Sequence, residues 1–384
     1  MKDEERAKRV VGMRAGAAQR HTPLFPRLRA GSFAALALLP FLLSFPTATP
    51  LAAQEDATWS FEDDAFADLW FHGLATLGLH GFGAMPLYDP GYAGAIRTER
   101  VAAGLNPTPL EVRRGELLAE IRRDEAFEIL HFVPLYFKGA SRADALQTLA
   151  DVAGTEEGVP EMSARTRLGG SVVATTLAQP RQRRILGLLV ETLEAEWDQV
   201  VEPRRVRDSA KRDRNSAALE ARWLQSWSPH LSGFLRAEEL LGVSVLFVGA
   251  LGREGRFLER DPSNAGRALV AVGLKGTDDL DGALGSVLRE LCYPTVRRAF
   301  TPFERRFSDR VDASRASDLA ATRCGELLLE AHAPTRVAAY RVRFGLPAKG
   351  TGPGFLSASG RMPGTAAWEG ALDEALRREL KLVS

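Results

Sequence analysis

Two short apolar runs decide most of what this chain can fold into: VSVLFVGAL (residues 243–251) and RALVAVGL (residues 267–274). Polar sequence containing Gly and Pro separates them, so they read as two strands of a hairpin with a long loop. Almost every other patterned stretch repeats at helical spacing. The expectation is an α+β protein, predominantly helical, with one small sheet.

The helices can be placed from their apolar stripes and their breakers. Asp63 and Asp64 open one whose buried positions include Phe66, Leu69, Trp70, Leu74 and Leu77. Glycines and MPLYDPGY end it. A second is expected over 109–130, with Leu110, Leu117, Leu118, Ile121, Phe127 and Leu130 as its core stripe, and the dense HFVPLYF after it belongs in the core. A third covers 172–201, where Leu186, Leu189, Val190, Leu193 and Trp197 repeat. The next stretch, EPRRVRDSAKRDRNSAALEAR (residues 202–222), mixes both charge signs and reads as a solvated helix or a linker, with Pro203 as a boundary or kink. Helices over 280–300, 317–331 and 365–382 complete the pattern. AKGTGPGFLSASG lacks the G-K-[ST] ending of a phosphate loop and reads as flexible.

The N-terminus has a different logic. Basic and polar residues up to Arg29 precede FAALALLPFLLSF (residues 33–45), and PTATPLAAQ follows. That is the layout of a secretory signal peptide, with cleavage expected near Ala53 and a periplasmic or extracellular mature chain. A start at Met13 and a retained anchor are the alternatives. The apolar run is short for a bilayer span and Pro40 interrupts it, so no stable membrane span is expected after cleavage. The organisation that follows is a signal peptide at 1–53, a helical region at 54–202, a charged helix or linker at 203–222, and an α+β region at 223–384.

Fifty basic and 49 acidic residues leave a net charge of +1. That offers no electrostatic case for a nucleic-acid partner. Of the two cysteines, Cys292 and Cys324, an exported chain can make one disulfide, or keep two buried thiols. The mature histidines, His72, His80, His131, His230 and His332, show no metal-ligand spacing, and each reads as structural.

The sharpest local pattern is VLRELCYPTV (residues 287–296). Leu280, Leu284, Val287, Leu288 and Leu291 form one apolar stripe, and Arg289 and Tyr293 share the opposite face. That face either lines a cleft or meets water. Strand, loop, strand, a helix with central Glu290, then a helix bearing Glu326 and Glu330: this order resembles the catalytic half of the zincin metallopeptidases, the gluzincin branch in particular, over residues 243–344. In that family the first helix carries H-E-x-x-H, and the second carries a glutamate as third zinc ligand. Here the motif reads Arg289-Glu290-Leu291-Cys292-Tyr293. The resemblance implies a zincin-like C-terminal half with an active-site-type helix pair, but an arginine cannot be a zinc ligand, so neither metal nor another cofactor is expected. Arg289 would fill the metal position, with Glu326 or Glu330 accepting from it, Tyr293 adding bulk and a hydroxyl, and Glu290 left vestigial.

Three functions remain in view. The first is an inactive metallopeptidase homologue binding a peptide or protein partner through the old cleft. The second is a structural or envelope interaction protein without such a site. The third is a metal-independent hydrolase using Glu290 with a second acid. Nothing in the sequence fixes an oligomeric state.

Overall fold

A strand with no polar alternation is suited to burial on both faces, and that is how the two apolar runs are used. In the computed structural model, β2 (Val243–Val248) and β4 (Ala268–Gly273) are buried at every position. They pair in parallel, from Val243 opposite Ala268 to Val248 opposite Gly273, and not as a hairpin. The expected long loop contains a strand of its own, β3 (Arg256–Leu258), antiparallel to β4 on its outer side. The chain therefore crosses beyond β4 before returning, and enters β4 in the direction of β2. At the other edge β1 (Ser60–Glu62) joins β2 in parallel, giving the order β1-β2-β4-β3.

The structure describes residues 59–81, 83–155, 161–264, 266–274, 279–307, 309–346 and 366–382. These belong to one compact unit. The export segment, its cleavage site and the glycine-rich stretch after residue 347 lie outside the described residues. Among the described residues no helix is long and apolar enough to cross a membrane.

Alternate strand side chains feed two cores. Leu246, Val248, Leu269 and Ala271 face helices from the N-terminal part of the chain. The first, α1 (Ala65–Leu77), begins where Asp64 accepts from the Ala67 amide at 2.7 Å and ends at Gly78, whose φ of +76° suits glycine. Its expected stripe is buried, and so is the rest of its surface, as befits a core helix. After α2 (Tyr92–Ala102), α3 (Pro109–Ile121) starts in a Thr108–Glu111 capping box. It stops nine residues short of the expected end, and a 3-10 turn capped by Asp124 takes over. The dense apolar stretch forms the short α4 (Val133–Tyr136), followed by α5 (Arg142–Gly154).

The expected helix over 172–201 is two: α6 (Arg167–Thr176) and α7 (Pro180–Glu196), divided by Pro180, which is suited to a first helical turn. From α7 the chain stays helical through a π turn at Trp197–Val201, α8 (Glu202–Arg222), a second π turn at Trp223–Trp227, and α9 (Ser228–Ala237). The charged run is thus a helix and not a linker. Pro203 has no N–H for the carbonyl of Gln199, and Arg100 donates to that oxygen instead, at 3.3 Å. Arg205 and Arg212 of α8 reach Asp63 and Asp68, tying this helix to the segment after β1.

Val243, Val245, Phe247, Val270 and Val272 point to the second core, with Trp223 and Trp227 and the C-terminal helices. The expected helix over 280–300 breaks into α10 (Leu280–Leu291) and α11 (Tyr293–Phe300), with Pro294 in the first turn of α11. Next comes α12 (Arg310–His332), seven residues longer at its start than the apolar pattern suggests because Asp309 caps it. The chain closes with α13 (Val337–Phe344) and α14 (Ala366–Glu379).

Candidate functional site

The face of α10 opposite its apolar stripe does not meet water. Arg289 is 0% exposed, and Glu290 is 1% exposed. A guanidinium so placed must find a partner for each donor, and it does. Nε donates to Thr322 Oγ1 at 3.1 Å, Nη1 donates to Glu290, and Nη2 lies 3.4 Å from both the carbonyl oxygen and Oδ1 of Asp318. Tyr293, one turn on, donates its hydroxyl to the same Asp318 Oδ1. Arg289, Tyr293 and Asp318 therefore converge, with Glu290 beside them.

Glu326 and Glu330 do not join them, which corrects the expected pairing with Arg289. Glu326 accepts from Arg323 and Arg341, and Glu330 accepts from Arg341 at 2.8 Å. Arg323 in turn donates to Asp373 of α14 at 2.8 Å. The reason is helical rise: eight residues separate Asp318 from Glu326, about 12 Å along the axis. Arg289 meets α12 at the level of Asp318 and Thr322. Asp318 stood at the very start of the helix expected over 317–331; recognising that α12 starts at Arg310 would have placed it two turns in, where it can present a side chain to α10.

A second layer comes from the approach to β3. Gly255 donates its amide to Glu290 Oε1 at 2.9 Å. A Cβ there would lie 2.5 Å from the Ala271 carbonyl oxygen, so only glycine permits this approach. Arg256 donates to Glu254 and to the Gly255 carbonyl. Glu254 Oε2 is buried and has no hydrogen-bond partner among the described residues. It and Asp318 Oδ2 lie 2.0 and 1.9 Å from where a Cβ on Gly83 would stand, so two carboxylates crowd one glycine. Asp318 Oδ2 also accepts from the Ala84 amide at 3.0 Å. These groups line a cavity of about 400 Å³, together with His131 and Ser314. Burial pushes His131 down to about 3, with Arg256 adding to the effect, so it is neutral, and its Nδ1 lies 2.7 Å from the Tyr88 hydroxyl.

Burial first, and then the neighbouring Asp318, push the Glu254 carboxyl up to about 7. Unfolded, the same group titrates near 4.5. Between those values the folded chain holds a proton that the unfolded chain has released, so stability falls as the pH rises through this window. Glu254→Gln keeps an oxygen for Arg256 and removes the titration. The stability difference between variant and wild type, followed by urea denaturation from about pH 5 to 8, should move in favour of the variant as the pH rises. A difference independent of pH would contradict the assignment.

Cys292, between α10 and α11, and Cys324, on α12, are both fully buried and free. Burial, with the neighbouring Cys324 adding to it, holds the Cys292 thiol well above its ordinary range. The two cysteines considered for a bridge stand near each other as free thiols, and burial disfavours the thiolate that exchange requires. Ellman's reagent should titrate two thiols in denaturant and react only on the timescale of unfolding in buffer; a loss of both thiols that a reductant restores, or their prompt reaction in the folded protein, would contradict this.

The donor set does not fit zinc. The guanidinium of Arg289 is a permanent cation that cannot ligate a metal, and among the described residues no group of three or more His, Cys, Asp or Glu side chains is arranged to hold a metal ion. Comparison with protein-family models, with curated proteins and with solved structures gives no match.

Proposed function

We propose that this is an exported, catalytically inactive metallopeptidase-like protein that holds a peptide segment of a partner in the cleft beside β3. The observation that carries the reading is the position of Arg289. In the R-E-L-C-Y motif it stands at the first ligand position and Tyr293 at the second, and both meet an acidic residue of the following long helix, Asp318. A guanidinium at that meeting point supplies the positive charge that the carboxylates need, with no Lewis acid. Glu290, engaged by Gly255 and Arg289, has no metal-bound water to act on.

The peptide part of the reading rests on the cavity and on its neighbour. Phe257 of β3 lines the cavity, and β3 pairs only with β4 among the described residues, leaving an edge to which an extended segment can add. The test is to incubate the protein with a defined pool of synthetic decapeptides and identify what co-elutes on gel filtration by mass spectrometry. Intact peptides should be retained, and Ser314→Trp, a partly exposed change at the cavity wall, should abolish retention. Cleaved products dependent on Glu290 would establish the hydrolase alternative instead. Absence of any retention would leave the envelope interaction protein.

A further inference from the structure

A second cavity, of about 490 Å³, lies elsewhere in the same unit and shares no lining residue with the cleft among the described residues. It sits where the three parallel strands end. Asp63 after β1, Val248 and Gly249 at the end of β2, and Leu274 after β4 all line it. The carboxyl edge of parallel strands is where open sheets of this kind hold ligands. One wall is a single face of α8, carrying Arg204, Lys211 and Asn215.

The opposite wall carries a hydrogen-bonded chain that the cleft does not use. Glu196 Oε2 lies 2.8 Å from His72 Nε2, and His72 Nδ1 lies 3.1 Å from the Tyr92 hydroxyl. Glu196 and His72 are each 1% exposed, and Tyr92 lines the cavity. Read from sequence as structural, His72 is satisfied at both ring nitrogens and fixes the direction of a phenol beside the cavity. The Arg204 guanidinium stands 5.9 Å over the Tyr92 ring.

The charged side chains lining the cavity balance, four Asp against three Arg and one Lys, so the donors left without partners give the sign of the ligand. Arg205 and Arg212 are answered by Asp63 and Asp68, Asp208 by Arg207, and Asp89 Oδ1 accepts from the Gly91 amide at 2.9 Å. Lys211 has no partner among the described residues and Arg204 has one carboxylate, Glu99, at 3.4 Å. Asn215, one helical turn from Lys211, lines the cavity, and Nη1 of Arg204 is buried there with no hydrogen-bond partner among the described residues. A buried guanidinium nitrogen in that state is unusual unless something completes it. The floor is apolar, with Val201, Phe247 and Leu274.

We infer that this cavity binds a small organic anion, its apolar body on Val201, Phe247 and Leu274 and its carboxylate or phosphate held by Lys211 and Asn215. Arg204 flanks that head group as a further donor. The inference is independent of the cleft and of what the cleft binds.

Calorimetric titration of the full chain with hexanoate, phenyl phosphate and hexylamine tests it. At least one of the two anions should bind with one-to-one stoichiometry, and hexylamine should not. Hexanoate binding alone assigns a carboxylate, and phenyl phosphate binding alone assigns a phosphate. Lys211→Ala and Asn215→Leu should each weaken the anion by about tenfold, the loss expected for one hydrogen bond to a charged group. Both are positions on α8 away from the main cores, and circular dichroism should show the fold unchanged. Binding of neither anion, equal binding of the amine, or unchanged affinity in both variants would overturn the assignment.

Discussion

Arg289→Ala should lower the unfolding free energy by about 3–5 kcal/mol, the loss typical of removing one partner from a buried ion pair. The reason lies less in the lost bonds than in what stays behind. Glu290 and Asp318 would remain buried with their shared cation gone, and Glu254, already raised by Asp318, would face two carboxylates with only Arg256 nearby. Arg289→Lys should recover only part of the loss, because an ammonium cannot reach Glu290, Thr322 and Asp318 in one plane. Arg289→Met with Glu290→Gln should cost less than Arg289→Met alone, since the second change removes an orphaned charge. Urea denaturation with an unchanged m value gives the reading. If Arg289→Ala were within about 0.5 kcal/mol of wild type, as surface changes usually are, the guanidinium would not be the centre of a buried cluster.

Glu326→Ala should be as damaging, at about 3–5 kcal/mol, for a different reason. Its carboxylate is 1% exposed and accepts from both Arg323 and Arg341, joining α12 to α13 and, through Asp373, to α14. Without it Arg323, 2% exposed, keeps Asp373 but loses its nearer partner on α12. The variant should unfold at lower urea yet, where folded, retain peptides in the cleft as wild type does. Loss of peptide retention in folded Glu326→Ala would return this residue to the site from which the geometry removes it.

The contrast between Asp318 and Glu326 shows how far the sequence could be read. The stripe through Phe66, Leu69, Trp70, Leu74 and Leu77 specified α1, because apolar spacing and an Asp cap are local information. The motif around Arg289 also marked helix, although the chain breaks it at Cys292, and the pairing of Arg289 with an acidic residue of the next long helix was legible in kind. Which acidic residue was not, because the crossing point of two helices depends on the full length of α12, and its polar first turns carry no apolar stripe. The same limit explains the strands. Apolar runs announce burial, but their relative direction is set by the connection, and the three residues of β3 are too few to signal a strand. Burial of Arg289 was the hardest feature to foresee, since a charged face opposite an apolar stripe usually meets water, and only the carboxylates brought by Asp318 and Glu290 make the exception tolerable.

The zinc content of two purified proteins tests the central claim that a guanidinium stands where such a helix pair would hold a metal. By elemental analysis after dialysis, the unmodified chain should carry no stoichiometric zinc. Arg289→His combined with Tyr293→His supplies two imidazoles beside Asp318, and this variant should bind one zinc per chain, lost again when Asp318→Ala is added. Tight stoichiometric zinc in the unmodified protein, removed by changing Glu290 and Asp318, would contradict the account, and a double-histidine variant that folds but binds no zinc would remove the support for a metallopeptidase ancestry.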